Sequence, residues 1–172
     1  MCEYCGCRGV PPIAELMDEH SALVDQAHRV RQDLGAGMPT AAMSRLVDLV
    51  ADLERHVQRE EDGIFRAMRA AGEFIDEVDE LEVEHRDFAA VIAMLDLDAA
   101  DFERRVSRLL DDLAVHVERE DLGIFPVSVV TLGARGWAMV DRAHDESPSF
   151  LLDPAEEPLP THDEESTCRR NH

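Results

Sequence analysis

Apolar residues recur along this chain in alternating steps of three and four, the spacing that lines one face of an α-helix. The first stripe is Ile13, Leu16, Leu23, Ala27, Val30 and Leu34, with His20 standing between Leu16 and Leu23. The second is Leu46, Leu49, Leu53 and Ile64, interrupted by His56 and Glu60. A third, Val78, Leu81, Phe88, Ile92 and Leu95, contains His85, and a fourth, Val106, Leu109, Leu113 and Ile124, contains His116 and Glu120. The pattern predicts four long helices, over about Pro12–Leu34, Thr40–Ala71, Asp76–Leu95, and from Asp98 or Asp101 to the Pro126 region, with a kink and continuation to Leu132. Pro near the first turn opens the first helix and Gly35-Ala36-Gly37 stops it; Thr40 is the expected cap of the second, and Gly72 ends it. A shorter helix, about Ala134–His144, carries the single Trp. Short connections favour antiparallel neighbours, so the expected fold class is all-α: an antiparallel up-down-up-down four-helix bundle with a short fifth helix and an irregular acidic C-terminal tail.

Composition agrees with this and adds boundaries. The chain has 172 residues, 45% hydrophobic and only 5% aromatic, enough to bury a real core and poor in the residues that favour sheets. From Asp145 onward there are eight acidic and two basic residues and four prolines, the composition of an unpacked tail. The expected domains are therefore a Cys-rich segment at 1–10, a bundle at 11–145 and an acidic tail at 146–172. The formal charge is −21, and every basic residue is Arg. Such a surface repels nucleic acid and anionic membrane, so neither is an expected partner. No apolar run approaches the roughly 20 residues that span a bilayer. The first residues have no basic segment followed by an apolar stretch, and a cytoplasmic location is the expectation.

Four histidines and two glutamates interrupt otherwise apolar seams, and that is the chemically informative feature. A buried carboxylate without a partner is costly, and six polar groups inside one bundle would destabilise it. Cations resolve the conflict, because neutral imidazoles and ionised carboxylates both become ligands. His56 and Glu60 are four apart, as are His116 and Glu120, so each pair lies one turn apart on one helix face. Together with His20 and His85 they give four nitrogens and two carboxylates. One ion cannot easily use all six; two ions, each with two His and bridged by both Glu, can do so and keep positions open. The donor set alone does not choose among iron, zinc and manganese.

The halves of the chain repeat. His56-Val57-Gln58-Arg59-Glu60-Glu61-Asp62-Gly63-Ile64-Phe65 recurs as His116-Val117-Glu118-Arg119-Glu120-Asp121-Leu122-Gly123-Ile124-Phe125, with seven identities in ten positions. Glu19-His20 and Glu84-His85 match one helix earlier in each half. Pseudo-two-fold symmetry of this kind suits a dinuclear centre on the axis. Gly63 and Gly123 stand inside helices, where Gly costs about 1 kcal/mol relative to Ala. They are expected on the inner seam, allowing close helix approach or shaping a pocket.

With the single His on helices 1 and 3 and His-x-x-x-Glu on helices 2 and 4, the chain resembles the hemerythrin-like (HHE cation-binding) family, bacterial type. The run Glu120-Asp121-Leu122-Gly123-Ile124-Phe125-Pro126 is also similar to the family's helix-4 ending, and the resemblance covers roughly residues 12–130. It implies a di-iron centre with a bridging oxo or hydroxo group, one that binds or reacts with dioxygen, hydrogen peroxide or nitric oxide. The invertebrate oxygen carriers have a second His one turn after the helix-3 ligand, where this chain has Ala89. They also use Asp five residues after the helix-4 His, where Asp121 stands beside Glu120. Glu120 is the expected ligand because it continues the seam, whereas Asp121 points about 100° away. With one His fewer, a further coordination position is open, which favours peroxide or nitric oxide turnover, or sensing, over simple oxygen carriage.

The remaining candidates are expected outside this centre. His28 lies off the seam, His144, His162 and His172 belong to the last helix or tail, and Glu61, Asp62 and Asp121 are expected to face solvent. Phe65 and Phe125 read as core packing. Cys2, Cys5 and Cys7 form a C-x-x-C-x-C cluster that could bind zinc or iron with Cys168 as fourth ligand, or act as redox thiols. The Cys2-Glu3-Tyr4-Cys5-Gly6-Cys7 start is similar to that of bacterial hemerythrin-like proteins. The expected activity is that of a di-iron protein processing a small oxidant, as a catalase-like or nitric oxide-consuming oxidoreductase. The alternatives are an oxygen, nitric oxide, redox or iron sensor, and iron storage without turnover.

Overall fold

The computed structural model describes residues 7–153, and among them all regular structure is helical. Helix α1 is Pro11–Gly35. Helix α2 runs over Pro39–Glu60, passes through a π-helical turn at Glu61–Phe65, and continues as Arg66–Ala71. Helix α3 is Ile75–Ala93. Helix α4 repeats the plan of α2, with Phe102–Arg119, a π turn at Glu120–Ile124, and Phe125–Thr131. Helix α5 is Ala134–Glu146. Short 3-10 turns, Cys7–Gly9 and Phe150–Leu152, flank the set.

The helix ends use proline and glycine more than side-chain caps. Pro11 and Pro12 open α1 and Pro39 opens α2, positions where the missing N–H removes no intrahelical bond. Thr40 does not cap α2: Met38 holds that position and makes no side-chain cap bond. Gly72, at φ +75°, takes the left-handed conformation that ends α2. The expected kink at Pro126 resolves into the π turn just before it. Pro126 then sits in the first turn of the last α-helical piece, where its lost donor is cheap.

The apolar seams form two separate clusters. One holds Leu23, Val30, Leu46, Leu49, Val106 and Leu113 with their neighbours. The other holds Ile13, Leu16, Ile64, Phe65, Phe125 and Val140. Along every long helix, the candidate His and Glu residues lie between the part that feeds one cluster and the part that feeds the other. Packing continues past the expected start of the tail: Phe150 is buried in the first cluster, held by a turn in which Ser149 Oγ accepts from the Leu151 amide at 3.2 Å. Arg55 pairs with Asp153.

Candidate metal centre

Four helices deliver six buried side chains to the gap between the clusters: His20 from α1, His56 and Glu60 from α2, His85 from α3, and His116 and Glu120 from α4. Their ligating atoms form two groups, His20 with His56, Glu60 and Glu120, and His85 with His116, Glu60 and Glu120; within each group all lie within 4.8 Å of one another. Each group has two imidazoles, and both carboxylates belong to both groups. Within helices, His56 Nε2 is 3.2 Å from Glu60 Oε1 and His116 Nε2 is 3.1 Å from Glu120 Oε1. Across helices, His20 Nε2 is 3.2 Å from Glu120 Oε2, and His85 Nε2 is 3.6 Å from Glu60 Oε2.

A carboxylate orients each imidazole from behind. His56 Nδ1 lies 2.7 Å from Glu19, and His116 Nδ1 lies 2.6 Å from Glu84. His20 Nδ1 lies 2.8 Å from Asp121, and His85 Nδ1 lies 2.9 Å from Glu61. These four contacts obey the internal repeat. The acid preceding each lone His serves the His of the following helix, and the acid following each inner Glu serves the lone His of the other half. A carboxylate at Nδ1 draws the ring proton there and turns the Nε2 lone pair toward the centre.

Glu61 and Asp121 are therefore only partly solvent-facing, each bonding an imidazole as well, whereas Asp62 faces solvent as expected. A rotation of about 100° from the seam points a side chain sideways toward the neighbouring helix as readily as outward. The π turns lie where the helix must place two consecutive acids, Glu60-Glu61 and Glu120-Asp121, on two different imidazoles. The sequence signal was present in the repeated acid pairs and in Glu19-His20 and Glu84-His85. It is the partner of each acid that only the helix arrangement supplies.

The donor set fits cations. Among the described residues, nine buried side-chain polar atoms have no hydrogen-bond partner, and six of them are His20 Nε2, His56 Nε2 and the four oxygens of Glu60 and Glu120. Leaving them so would cost several kcal/mol per carboxylate. His85 Nε2 and His116 Nε2 face each other at 2.9 Å, while both Nδ1 atoms are turned to carboxylates. Two opposed lone pairs at that separation repel unless a proton or a cation lies at them. Without metal, the facing carboxylates favour protons at these imidazoles. Burial disfavours the charged imidazole, yet Asp121, Glu120 and Glu60 outweigh it and hold His20 well above its ordinary value. His85 and His116 are raised in the same way. Burial and the Glu120 charge oppose ionisation of Glu60, but the facing histidines win and lower it to about 2. Burial likewise opposes ionisation of Glu120, but His116, His20 and His85 hold it well below the usual range.

The two halves differ in what surrounds them. Arg59 is 1% exposed and pairs with Glu19, with Glu15 at 2.7 Å, and with Nδ1 of His144 on α5 at 2.8 Å. Its counterpart Arg119 pairs with Glu84 and with Glu80 at 3.0 Å, at a half-exposed surface. Gly63 does not face the centre; a Cβ there would meet Ala143 of α5 at 3.6 Å, so this Gly admits α5. Gly123 has nothing within 4 Å and lines an open surface cleft. Phe125 stacks on His20 with ring centroids 5.4 Å apart, and Phe65 stacks on His85 at 5.7 Å.

Other expected positions fall away from the six. His28 is exposed against Gln32, and His144 lies behind Arg59, outside both groups. His162, His172 and Cys168 lie outside the described residues, as do Cys2 and Cys5 and the side chain of Cys7. No helix among the described residues is long and apolar enough to cross a membrane.

No curated protein and no solved structure matches the chain. A family model, the hemerythrin HHE cation binding domain, matches residues 11–128, the stretch that contains all six converging side chains and the four acids behind them. The chain belongs to the hemerythrin HHE cation-binding domain family.

Proposed function

We propose that His20 and His56 hold one iron ion and His85 and His116 a second. In this reading Glu60 and Glu120 bridge them, with an oxo or hydroxo group completing the pair. The protein binds and processes a small oxidant there: hydrogen peroxide, nitric oxide or dioxygen. The observation that carries this reading is the pair of fully buried carboxylates common to two groups of imidazoles. Iron would supply electrons or Lewis acidity to the bound oxidant. The chain's own groups orient the imidazoles through Glu19, Glu61, Glu84 and Asp121, compensate buried charge through Arg59, and exclude water with Phe65 and Phe125. The four long helices alternate in direction, the location is cytoplasmic, and a charge of −21 turns nucleic acid and anionic membrane away.

A second reading, a sensor of nitric oxide, oxygen or redox state, has one observation in its favour. A continuous polar chain from His144 through Arg59 and Glu19 to His56 ties α5 to the ligand set. Metal analysis with an optical spectrum of the purified protein tests the centre. Two irons per chain are expected, lost together with their near-ultraviolet absorption in His56→Ala and His116→Ala and retained in His28→Ala. Peroxide and nitric oxide consumption by the iron-loaded protein then separates the readings; no consumption of either defeats the enzyme.

A further inference from the structure

The internal repeat relates α1 to α3 by 65 positions and α2 to α4 by 60, as His20 to His85 and His56 to His116 show. A cavity of about 280 Å³ lies between α2 and α3, with His85, Leu53 and Phe88 among its buried walls and Ala89 and Ala93 at its exposed mouth. Its repeat mate lies between α1 and α4 and is only about 150 Å³. There Val24 stands for Ala89 and His28 for Ala93, and the space does not reach His20. The two differ at the mouth, where Ala89 and Ala93 leave open a volume that Val24 and His28 narrow on α1, although deeper on the helix Phe88 and Ile92 are larger than Leu23 and Ala27. The larger cavity thus touches one imidazole of the centre, His85, from an apolar side, and its lining includes no other of the six residues. The half of the centre that holds His56 is backed by the Arg59–His144 contact and by α5.

We infer that the cavity between α2 and α3 binds a small uncharged apolar organic molecule against the imidazole of His85. Apart from His85, the polar member of the wall is Glu54, which is exposed. Among the described residues no cation lines the cavity, and the chain carries −21, so an anion finds there neither a partner nor a favourable field. A dry cavity of about 150 Å³ is enough for benzene. The present volume suits a single ring with a short substituent or a fused pair of rings. At about 280 Å³ the space is smaller than one turn of a helix about 10 Å across, so it takes a small molecule and not a partner helix. The inference touches the proposed centre only in that His85 belongs to both; the cavity itself is formed by the chain.

Indole is the probe, with indole-3-acetate as its anionic counterpart, titrated calorimetrically into the metal-loaded protein. One indole per chain is expected, with indole-3-acetate at least about tenfold weaker. Ala89→Phe fills the mouth and lowers indole affinity at least about tenfold, and Ala93→Phe does the same should the first variant melt early. Val24→Phe, the repeat mate, leaves the affinity within about twofold. Absence of indole binding up to its solubility, or equal losses in Ala89→Phe and Val24→Phe, overturns the inference. Metal content is measured on the same samples. Indole binding without metal defeats the metal reading alone, whereas metal without indole binding defeats the cavity alone.

Discussion

Glu61 on α2 accepts a hydrogen bond from Nδ1 of His85 on α3 at 2.9 Å, so an acid beside one inner glutamate aims the imidazole of a different helix. Asp121 does the same for His20 at 2.8 Å. Carboxylates behind ligand histidines commonly contribute about 10–100-fold to metal affinity. Glu61→Ala and Asp121→Ala are each expected to weaken metal binding by that factor, and exposed Asp62→Ala to leave it unchanged. Competition with a chelator of known affinity measures all three.

In the metal-free centre the facing carboxylates favour protons where cations would lie, which gives the pH dependence its sign. Burial opposes charging of His20, His85 and His116, but the facing carboxylates raise all three above 6.5. Their stabilisation is full below 6.5 and lost as pH rises through the raised values. Burial also opposes ionisation of Glu60, yet the histidines hold it near 2, so its contribution is present above 4.5 and lost as pH falls toward 2. The metal-free protein is expected to be most stable in mild acid. Metal binding requires neutral imidazoles and so strengthens as pH rises. Calorimetric melting should show a larger gain in Tm on metal loading at pH ~8 than at pH ~6. Equal gains would remove the histidines from the site.

Arg59 and Arg119 occupy equivalent repeat positions in unlike surroundings. Removing Arg59 leaves Glu19 buried and uncompensated, for which about 3–5 kcal/mol is expected. Arg119 is partly solvated, and its removal should cost no more than about 1 kcal/mol. Urea unfolding of Arg59→Ala and Arg119→Ala compares them; equal losses would contradict the asymmetry.

Gly63 and Gly123 also part company. Gly63→Leu drives a branched side chain into α5 and is expected to cost about 1–3 kcal/mol. Gly123→Leu enters open space and should be neutral or stabilising, since leaving Gly gains up to about 1 kcal/mol of helix propensity. Thermal melting of the two variants reads the difference directly.

The spacing of Leu, Val and Ile with His and Glu determined the helices and the inner face of each. A side chain's direction on a helix follows from its position in the turn, and that is a local property. The same logic picked out His20, His56, Glu60, His85, His116 and Glu120, because a polar residue on an apolar seam has nowhere to go but inward. What lay one residue off the seam was decided by tertiary structure. Asp62, about 200° round the helix from Glu60, turns to water on local grounds; Glu61 and Asp121, about 100° off the seam, could turn either way, and the neighbouring imidazoles decide it. The inequality of two nearly identical repeats was likewise hidden. Arg59 and Gly63 differ from Arg119 and Gly123 only because α5 lies over the first pair, and which copy a later helix covers depends on where the chain returns in space.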